Sequence, residues 1–444
     1  MSRVVVIGAG YVGLPSAIWL TDLGHEVTVI DCAPERVALL RRLQPPFSCP
    51  ELSLRLQAAG STERLTFELS FEDYQPNVDV GMVMLAVPAD TRPDGSVDLS
   101  IVATVIKTLV AWQPARNALV CVRSTLSVGD SVRILAAVED SDLPNRYVYW
   151  PAFLGQHRAF VDLAQPDRIV LGSRRAQIAK SFVDRILPTD LHNRVLTMSF
   201  EEAEATKQMS NSVLAVNQVL TAELASICEK YAIKSEVVIR GIAGDYRIGQ
   251  ELLEHRPGLG DLCLRKDLSA MCKIAGDNGV LLQSAARRSD ELRRLAVGNL
   301  IGHVCRIGPQ PNVAMVGLGY ASGVGDTRGA LSHQLLAALQ GRAKVRVWDG
   351  YADVSSVIAA MPGIEAFPSL EVCLRGADVA VLLVDHPELR QVDWQTQGES
   401  MREVHSIFDF AHALPASQRG ASEFSHAWYT AGSCPLCSRS ADVV

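Results

Sequence analysis

The sequence predicts an α/β protein in which two doubly wound, Rossmann-like domains are joined by a central helical domain with a long helix. A β-branched strand pattern that runs into a glycine loop occurs at 4–13 and again at 312–319, and each occurrence predicts the start of a parallel sheet. Between them, the pattern from Phe200 to about Tyr231 is rich in Ala, Glu, Leu and Val and contains neither Gly nor Pro. Such a stretch is typical of a long helix.

The chain length and the positions of glycine and proline predict how the chain is divided into domains. At 444 residues it is too long for one core, and we expect a first doubly wound domain over 1–197, helices over 198–305 and a second doubly wound domain over 312–413. The Gly- and Pro-bearing stretch 306–311 predicts a linker. Residues 414–444 show no periodicity and predict a loose tail. Its C-x-x-C, Cys434 and Cys437, is half of a typical zinc site.

The composition excludes several classes of protein. The 42 basic and 49 acidic residues leave a net charge of -7 without a long basic run, so no nucleic-acid partner is expected. The start has no signal-peptide pattern and no apolar run reaches bilayer length, which predicts a cytoplasmic protein without a membrane partner. Ten scattered cysteines then indicate reduced thiols, and no metal is expected. A small-molecule partner remains.

The first glycine loop carries a complete dinucleotide fingerprint. A strand at 4–7 leads into Gly-Ala-Gly-Tyr-Val-Gly at 8–13 and an apolar helix, and a second strand at 26–30 ends at Asp31. The glycines allow close approach of a pyrophosphate, and the acid accepts a ribose hydroxyl. A carboxylate would repel the additional phosphate of NADP, so NAD is the predicted cofactor. The residues expected to bind it are Gly8, Gly10, Tyr11, Val12, Gly13 and Asp31.

Two later strands of the same domain end at polar residues or at proline. One covers 78–87 and ends at Pro88, and the other covers 118–122 and ends at Arg123, followed by Ser124 and Thr125. Strand ends of this kind line the ligand cleft of a doubly wound sheet. Helix capping is the alternative role for the two hydroxyl residues, and it is compatible with ligand contact.

The second doubly wound pattern is less complete than the first. A strand at 312–316 enters Gly317 and Gly319, and a strand at 344–348 ends at Asp349. The later glycine of the first loop has no counterpart here. We therefore expect the second loop to bind part of a nucleotide or to be structural.

The residues with reactive chemistry lie in the helical region. Cys263 stands between a loop containing Gly258 and Gly260 and the pair Lys266-Asp267, and a nearby ammonium can lower the pKa of a thiol. A lone cysteine is more often a small buried apolar residue. Lys207 and Asn211 are four residues apart, so they share a helix face, which would mean little if that face were solvated.

Several motifs together resemble the UDP-glucose/GDP-mannose dehydrogenase family, from Val4 to about His412. The stretch from Arg-Ile-Gly at 247–249 to Cys263 aligns without a gap on that family's segment leading to its catalytic cysteine, and Lys266-Asp267 falls on its Lys-Asp. The other matching motifs are the glycine loop at 8–13, Asp-Gly-Ser-Val-Asp-Leu-Ser at 94–100, Arg-Ser-Thr at 123–125 and Gln-Pro-Asp-Arg-Ile-Val-Leu-Gly at 165–172.

The resemblance implies an NAD-dependent oxidation of the C6 hydroxyl of a nucleotide-linked sugar to a carboxylate. Cys263 would form a thiohemiacetal and then a thioester, Lys207 and Asn211 would stabilise oxyanions, and Asp267 would help to activate water. It also implies a homodimer built on the long helix, and assigns the nucleotide sugar to the domain over 312–413. Further contacts that it implies are, for the cofactor, Arg36, Ser124, Thr125, Lys266 and Arg328, and for the substrate, Phe153, Leu154, Arg247, Leu252 and Gly260. Arg247 would reach into the neighbouring subunit's site.

Departures from the family pattern leave the outcome of the reaction open. The glutamate of the family's Asn-Pro-Glu-Phe-Leu falls on Ala152, a nearby threonine on Ala89, and the lysine of its Phe-Lys pair on Ala321. Asp326 and Arg328 are kept, and Leu259, Asp261 and Leu262 replace an aromatic, a glycine and a small residue. We expect either full oxidation, with Asp267 or Lys207 replacing the glutamate, or arrest at the aldehyde or thioester. A non-catalytic nucleotide-binding paralogue is the competing class.

Overall fold

The computed structural model divides into two compact units, one up to Ser210 and the other from Asn211 onward. It describes residues 2–49, 51–74, 76, 79–92, 95–231, 233–249, 256–260, 262–361, 363–394, 401, 406–411 and 413–414. The predicted tail, with Cys434 and Cys437, lies outside these residues, apart from Leu414. So do Leu252, Asp94 and Asp261. The predicted three-domain boundaries stay a prediction, and the two units are considered one at a time.

The first unit is built on a sheet whose described strands number eight, in the order β3-β2-β1-β4-β5-β6-β7-β8. All described neighbours are parallel except β6 and β7. The strands are β1 Arg3–Ile7, β2 Glu26–Ile30, β3 Leu65–Glu68, β4 Met82–Leu85, β5 Leu119–Val122, β6 Tyr147–Tyr149, β7 Ile169–Gly172 and β8 Val195–Met198. The central strands are buried on both faces, which explains their continuous apolar sequences.

Helices cover the two faces of this sheet and bury separate apolar clusters against it. They are α1 Gly13–Asp22, α2 Pro34–Arg41, α3 Leu52–Gly60, α4 Ser100–Ala111, α5 Asp130–Ala136, α6 Ala159–Ala164 and α7 Ala176–Ile186. Helix α1 is buried over nearly its whole length. The glycine loop that precedes it is therefore held on a rigid element.

The long helix α8, Phe200–Lys230, begins with a reciprocal cap. The backbone N–H of Ser199 donates to the Glu202 carboxylate at 2.8 Å, and the N–H of Glu202 donates to the Ser199 hydroxyl at 3.2 Å. This Ser-x-x-Glu capping box satisfies two backbone donors and defines where the helix starts. One turn later, Glu204 accepts the N–H groups of Gly129 and Ser131, each at 2.7 Å, and so fixes the start of α8 to α5.

Between α8 and the second sheet, the described residues form three α-helices: α9 Ser235–Ala243, α10 Leu262–Ala275 and α11 Val280–Ile307. The linker predicted at 306–311 is wrong at its start, because Arg306 and Ile307 are the last residues of α11. Both residues are compatible with a helix, whereas Gly308 adopts a φ of +145° and ends it. No helix within the described ranges is both long and apolar enough to cross a membrane.

The second sheet is smaller and contains five strands among the described residues, in the order β11-β10-β9-β12-β13, with every described pair parallel. The strands are β9 Asn312–Val316, β10 Lys344–Trp348, β11 Ile364–Ala366, β12 Val379–Leu382 and β13 Ser406–Asp409. The helices are α12 Leu331–Leu339, α13 Val354–Ala360 and α14 Leu370–Leu374. Both doubly wound sheets confirm the predicted fold class.

Asp349, at the end of β10, holds the second glycine loop. Its carboxylate accepts the N–H groups of Leu318 at 2.6 Å and of Tyr351 and Ala352 at 2.7 and 2.8 Å. His386 Nε2 lies 3.5 Å away, and both side chains are buried. Burial alone would raise the pKa of Asp349, but the interaction with the His386 ring and the backbone N–H donors of Leu318 and Ala352 outweigh it and lower the pKa to about 2.

The low pKa of Asp349 predicts a pH-dependent contribution to folding. Because the pKa falls from 3.8 to about 2 on folding, the ionised group stabilises the fold above about pH 5, and this is lost as the pH falls through 3.8 towards 2. Urea unfolding should show Asp349→Asn less stable than the wild type by about 2 kcal/mol at pH 7, with the gap closing towards low pH. Asp353→Asn, which keeps an N-cap of α13, is the control. A gap that does not vary with pH would contradict the assignment.

Candidate active site

The glycine loop after β1 has the shape that a pyrophosphate requires. A Cβ at Gly8 would lie 2.6 Å from the Ala86 carbonyl oxygen, and one at Gly13 would lie 1.9 Å from that of Gly8, so both positions are closed by packing. A Cβ at Gly10 would meet nothing within 4 Å. The loop is thus closely packed at Gly8 and Gly13 and open at Gly10. A side chain at Gly10 would occupy the space next to the start of α1, where a phosphate binds in folds of this kind.

Asp31 lies at the end of β2 and is tied to that loop. Its carboxylate accepts the N–H of Ala9 at 2.8 Å and that of Ala33 at 3.0 Å. Arg36 donates to the same carboxylate at 2.9 Å, and its side chain is 42% exposed whereas that of Asp31 is 6% exposed. The loop, the acid and Arg36 therefore form one hydrogen-bonded unit, with the carboxylate at the strand end where a dinucleotide fold binds a ribose hydroxyl.

The end of β5 presents hydroxyls and a buried cation. Ser124 is buried and donates to the Val87 carbonyl at 2.6 Å, which joins the ends of β4 and β5, while Thr125 is partly exposed. The Arg123 guanidinium lies 3.9 Å from the centre of the Trp150 ring, and its Nε and Nη1 are buried without a hydrogen-bond partner. Burial lowers the pKa of Arg123 to about 10, so it stays protonated at neutral pH.

Phe153 connects two cations of the first unit. The Arg168 guanidinium carbon lies 4.3 Å from the ring centre, and Lys207 Nζ lies 5.2 Å from it. Arg168 also donates to the Ser210 hydroxyl at 3.2 Å. Leu154 packs against the apolar cluster beneath. The ring of Phe153 therefore helps to position the ammonium of Lys207, which is buried.

In the second unit, Cys263 lies in the first turn of α10 and is exposed. A helix N-terminus favours negative charge, and therefore a thiolate. Lys266 and Asp267 follow at three and four residues, which brings all three onto one face of the helix. The structure thus places Cys263, Lys266 and Asp267 together on α10.

Asp267 is buried and is held by Asn211 of α8, whose side-chain amide donates to Oδ2. Its other oxygen, Oδ1, is buried with no hydrogen-bond partner, and Lys266 Nζ is 4.0 Å from it. One carboxylate oxygen is therefore fixed, and the other has unused acceptor capacity one helical turn from the thiol. This arrangement can orient a water or a hydroxyl.

The remaining candidates of the second unit have local partners. Arg247 is exposed and pairs with Asp245, with Nη2 to Oδ2 at 2.5 Å. Arg328 bonds Asp326 through two nitrogens, at 2.9 and 2.7 Å. Gly260 is half-buried, and a Cβ there would first meet the Tyr320 carbonyl oxygen, at 4.0 Å. Each of the two arginines is thus paired with an acid two residues before it.

The alanines that replace the polar residues of the motifs differ in environment. Ala152, just after β6, and Ala89, just after β4, are buried, whereas Ala321 is partly exposed. Among the described residues, no group of three or more His, Cys, Asp or Glu side chains could hold a metal ion.

Sequence reasoning missed the positions of Arg123 and Arg256. The sequence pattern places Arg123 at the end of a strand and within a motif, and it predicts no contact for Arg256. The Arg256 guanidinium donates to the Tyr320 carbonyl, 64 residues along the chain. A local sequence pattern cannot predict a contact between residues so far apart. The arginine directly before Pro-Gly-x-Gly could nevertheless have indicated a functional loop.

Comparison with known proteins gives matches along nearly the whole chain. Models of the UDP-glucose/GDP-mannose dehydrogenase family match at 2–187 (NAD binding domain), 201–290 (central domain) and 314–416 (UDP binding domain). A UDP-glucose 6-dehydrogenase of Pseudomonas aeruginosa is 32% identical over 90% of this chain and 91% of its own length. A UDP-N-acetyl-D-mannosamine dehydrogenase of Pyrococcus horikoshii is 27% identical over 90% and 93%.

A solved structure shares the fold. The UDP-glucose dehydrogenase of Pyrobaculum islandicum has a TM-score of 0.83 at 24% identity, covering 97% of this chain and 98% of that one. The matched NAD binding domain and the loop geometry confirm NAD as the cofactor. The predicted resemblance is likewise confirmed: the chain belongs to the UDP-glucose/GDP-mannose dehydrogenase family.

Proposed function

We propose that this protein oxidises the C6 hydroxyl of a nucleotide-linked sugar, of the UDP-glucose type, to the uronate through a covalent intermediate on Cys263. The observation that carries the proposal is the carboxylate of Asp267, fixed by Asn211 and one helical turn from the thiol. A thiol at this position would have little use in a simple alcohol oxidation. NAD, when bound, accepts a hydride in each of the two oxidations.

The residues of the chain supply the remaining steps. The Cys263 thiolate adds to the C6 carbonyl of the aldehyde, an S–C bond forms, and the oxygen takes a proton to give the thiohemiacetal. Lys207 and Asn211, four residues apart in α8, stabilise the negative charge on that oxygen. After the second oxidation, water attacks the thioester, the S–C bond breaks and the thiolate leaves. Asp267 Oδ1 can take the proton from this water.

Hydrolysis of the thioester is the step for which this chain has fewer polar groups than the family motifs. The position of the family's glutamate is the buried Ala152, and Ala89 also lacks a hydroxyl. A general base is typically worth about 10²- to 10⁴-fold in rate, so its loss slows hydrolysis without abolishing it while Asp267 remains. These two alanines support the second candidate function, an oxidation that stops at the aldehyde or the thioester.

A homodimer built on α8 belongs to the same proposal. Large apolar side chains at positions 213, 220 and 227 repeat every seven residues, and Val213 and Leu220 are 57% and 50% exposed. Contiguous exposed apolar surface of this kind is typical of protein–protein interfaces. In such a dimer the exposed Arg247 would contribute to the site of the second copy.

The number of NADH molecules formed per sugar consumed tests the reaction. We expect two with the wild type on one member of a panel of UDP-, GDP- and dTDP-hexoses, and at most one with Cys263→Ser, because the thiohemiacetal cannot form. Cys305→Ser, at another exposed cysteine, should behave as the wild type. One NADH with the wild type would mean an aldehyde product, and a single-turnover burst would mean a trapped thioester. No NADH with any member would contradict the proposal and favour a binding paralogue.

Ala152→Glu tests whether hydrolysis limits turnover. Restoring a carboxylate should raise the steady-state rate that follows the first turnover by about 10²-fold or more, and leave the rate of the first NADH within about threefold. Stopped-flow NADH absorbance separates the two phases. Ala152→Gln has the same size without the base and should not accelerate turnover. Equal acceleration by both substitutions would contradict a missing base.

Charges placed in the apolar stripe test the dimer. Val213→Glu combined with Leu220→Glu should convert the dimer to monomers in sedimentation velocity, because carboxylates cannot be buried unpaired at an interface. Leu54→Glu, at an exposed leucine of α3, is the control and should leave the mass unchanged. A wild type that sediments as a monomer would overturn the proposed interface.

A further inference from the structure

The carboxyl ends of β2 and β3 carry two acids, and each acid is paired with an arginine of α2. Arg36 Nη1 donates to Asp31 Oδ2 at 2.9 Å, and Arg41 Nη2 donates to Glu68 Oε2 at 2.7 Å. The two strands are neighbours in the sheet, and the N–H of Asp31 donates to the Glu68 carbonyl at 3.1 Å. The charges of these two acids are therefore compensated within the protein.

The Asp31–Arg36 pair presents its positive member to solvent. The side chain of Asp31 is 6% exposed, whereas that of Arg36 is 42% exposed. The carboxylate also accepts the N–H groups of Ala9 and Ala33. Among the described residues, Asp31 is the one hydrogen-bond partner of the Arg36 side chain. A guanidinium has five N–H donors, so Arg36 has donors in reach of a ligand beside Asp31.

The residues between the acid and this arginine are small at first and then begin α2. Cys32 is exposed and Ala33 is partly exposed, and neither side chain is large enough to fill the space next to Asp31. Helix α2 starts at Pro34, and its first turn contains one exposed anionic side chain, that of Glu35. The charges of Glu35 and Arg36 in this turn balance each other.

This charge balance changes the expectation for the cofactor's ribose. An uncompensated carboxylate about 4 Å from a phosphate would weaken the binding of that phosphate by roughly 10³-fold near a protein surface. A guanidinium bonded to the carboxylate cancels most of the repulsion. Arginine is also the residue that accommodates the 2′-phosphate of NADP in doubly wound folds, because its planar fork matches phosphate oxygens.

We propose that this chain binds NADP as well as NAD, and that Arg36 is the residue that holds the 2′-phosphate of NADP. Asp31 remains available for the ribose hydroxyl of NAD, since one lone pair of Oδ1 is left beside the bond from Ala33. The two dinucleotides would thus use different members of the same ion pair. The inference concerns the cofactor alone and is independent of the sugar that is oxidised.

Calorimetric titration of the full chain with NAD and with NADP, in the absence of any sugar, tests this role. We expect the two affinities of the wild type to differ by less than about 10-fold. Arg36→Gln leaves the charge of Asp31 uncompensated, so it should weaken NADP binding by about 10- to 100-fold and NAD binding by less than about threefold. Arg36→Lys should retain part of the NADP affinity, since it keeps the charge without the planar fork.

Two further changes separate the pair from a general effect of charge. Arg42→Gln removes an equal charge just after the last residue of α2, and it should change neither affinity by more than about twofold. Asp31→Asn removes the repulsive charge and leaves Arg36 in place, so NADP should then bind more tightly than NAD. The double variant Asp31→Asn with Arg36→Gln should lose that gain. Thermal unfolding should show the Arg36 and Arg42 variants within about 3 °C of the wild type.

A wild type that prefers NAD by more than about 10-fold would overturn the proposal that both dinucleotides bind. Equal losses of NAD and NADP affinity in Arg36→Gln would reduce Arg36 to a structural role, and an unchanged ratio of the two affinities would also overturn it. Failure to bind either dinucleotide would contradict the site itself. Because no sugar enters the titration, its outcome is separate from that of the proposed reaction.

Discussion

A buried carboxylate that holds a glycine loop by backbone hydrogen bonds is the constraint on which both sheets depend. Asp31 accepts the N–H of Ala9 in the first unit, and Asp349 accepts that of Leu318 in the second. The two carboxylates differ in the side chain that each one contacts. Asp31 is paired with the half-exposed Arg36, whereas Asp349 faces the fully buried His386. The first acid therefore lies beside a partly exposed cation, while the second is enclosed by protein groups.

Helix α10, which carries Cys263, also contains a buried carboxylate that is held by hydrogen bonding. Asp267 is buried, which would be unfavourable for an unpaired carboxylate, but the amide of Asn211 satisfies one oxygen and Lys266 provides a nearby positive charge. What remains is one carboxylate oxygen without a hydrogen bond, one helical turn along α10 from Cys263. The strand ends of the first unit differ from the family motifs in another way. Ala89 and Ala152 stand where those motifs have polar residues, and Arg123 is buried over Trp150. Titratable side chains are thus present on α10, whereas alanines stand at those two strand ends.

The sequence predicted what depends on local spacing. Strand, glycine loop, helix and acid follow one another within about thirty residues, so the first loop and Asp31 could be read directly. The long helix followed from its composition, and Cys263, Lys266 and Asp267 from spacing along one helix. The linker at 306–311 was misjudged because Gly308, rather than Arg306, ends α11. The contacts of Arg123 with Trp150 and of Arg256 with Tyr320 join residues 27 and 64 positions apart, and such pairings are set by strand order and loop packing rather than by any local pattern.

Arg293 has a consequence for the thermodynamics of ligand association. Its guanidinium bonds the carbonyl of Leu259 at 2.6 Å and that of Gly329 at 3.0 Å, so one buried side chain ties the loop before the thiol to the segment before α12. The conformational entropy of ordering these two segments is lost when the chain folds. A ligand that enters between them meets a preorganised surface and does not bear that entropic cost again, so its affinity reflects contacts and desolvation more than loop ordering.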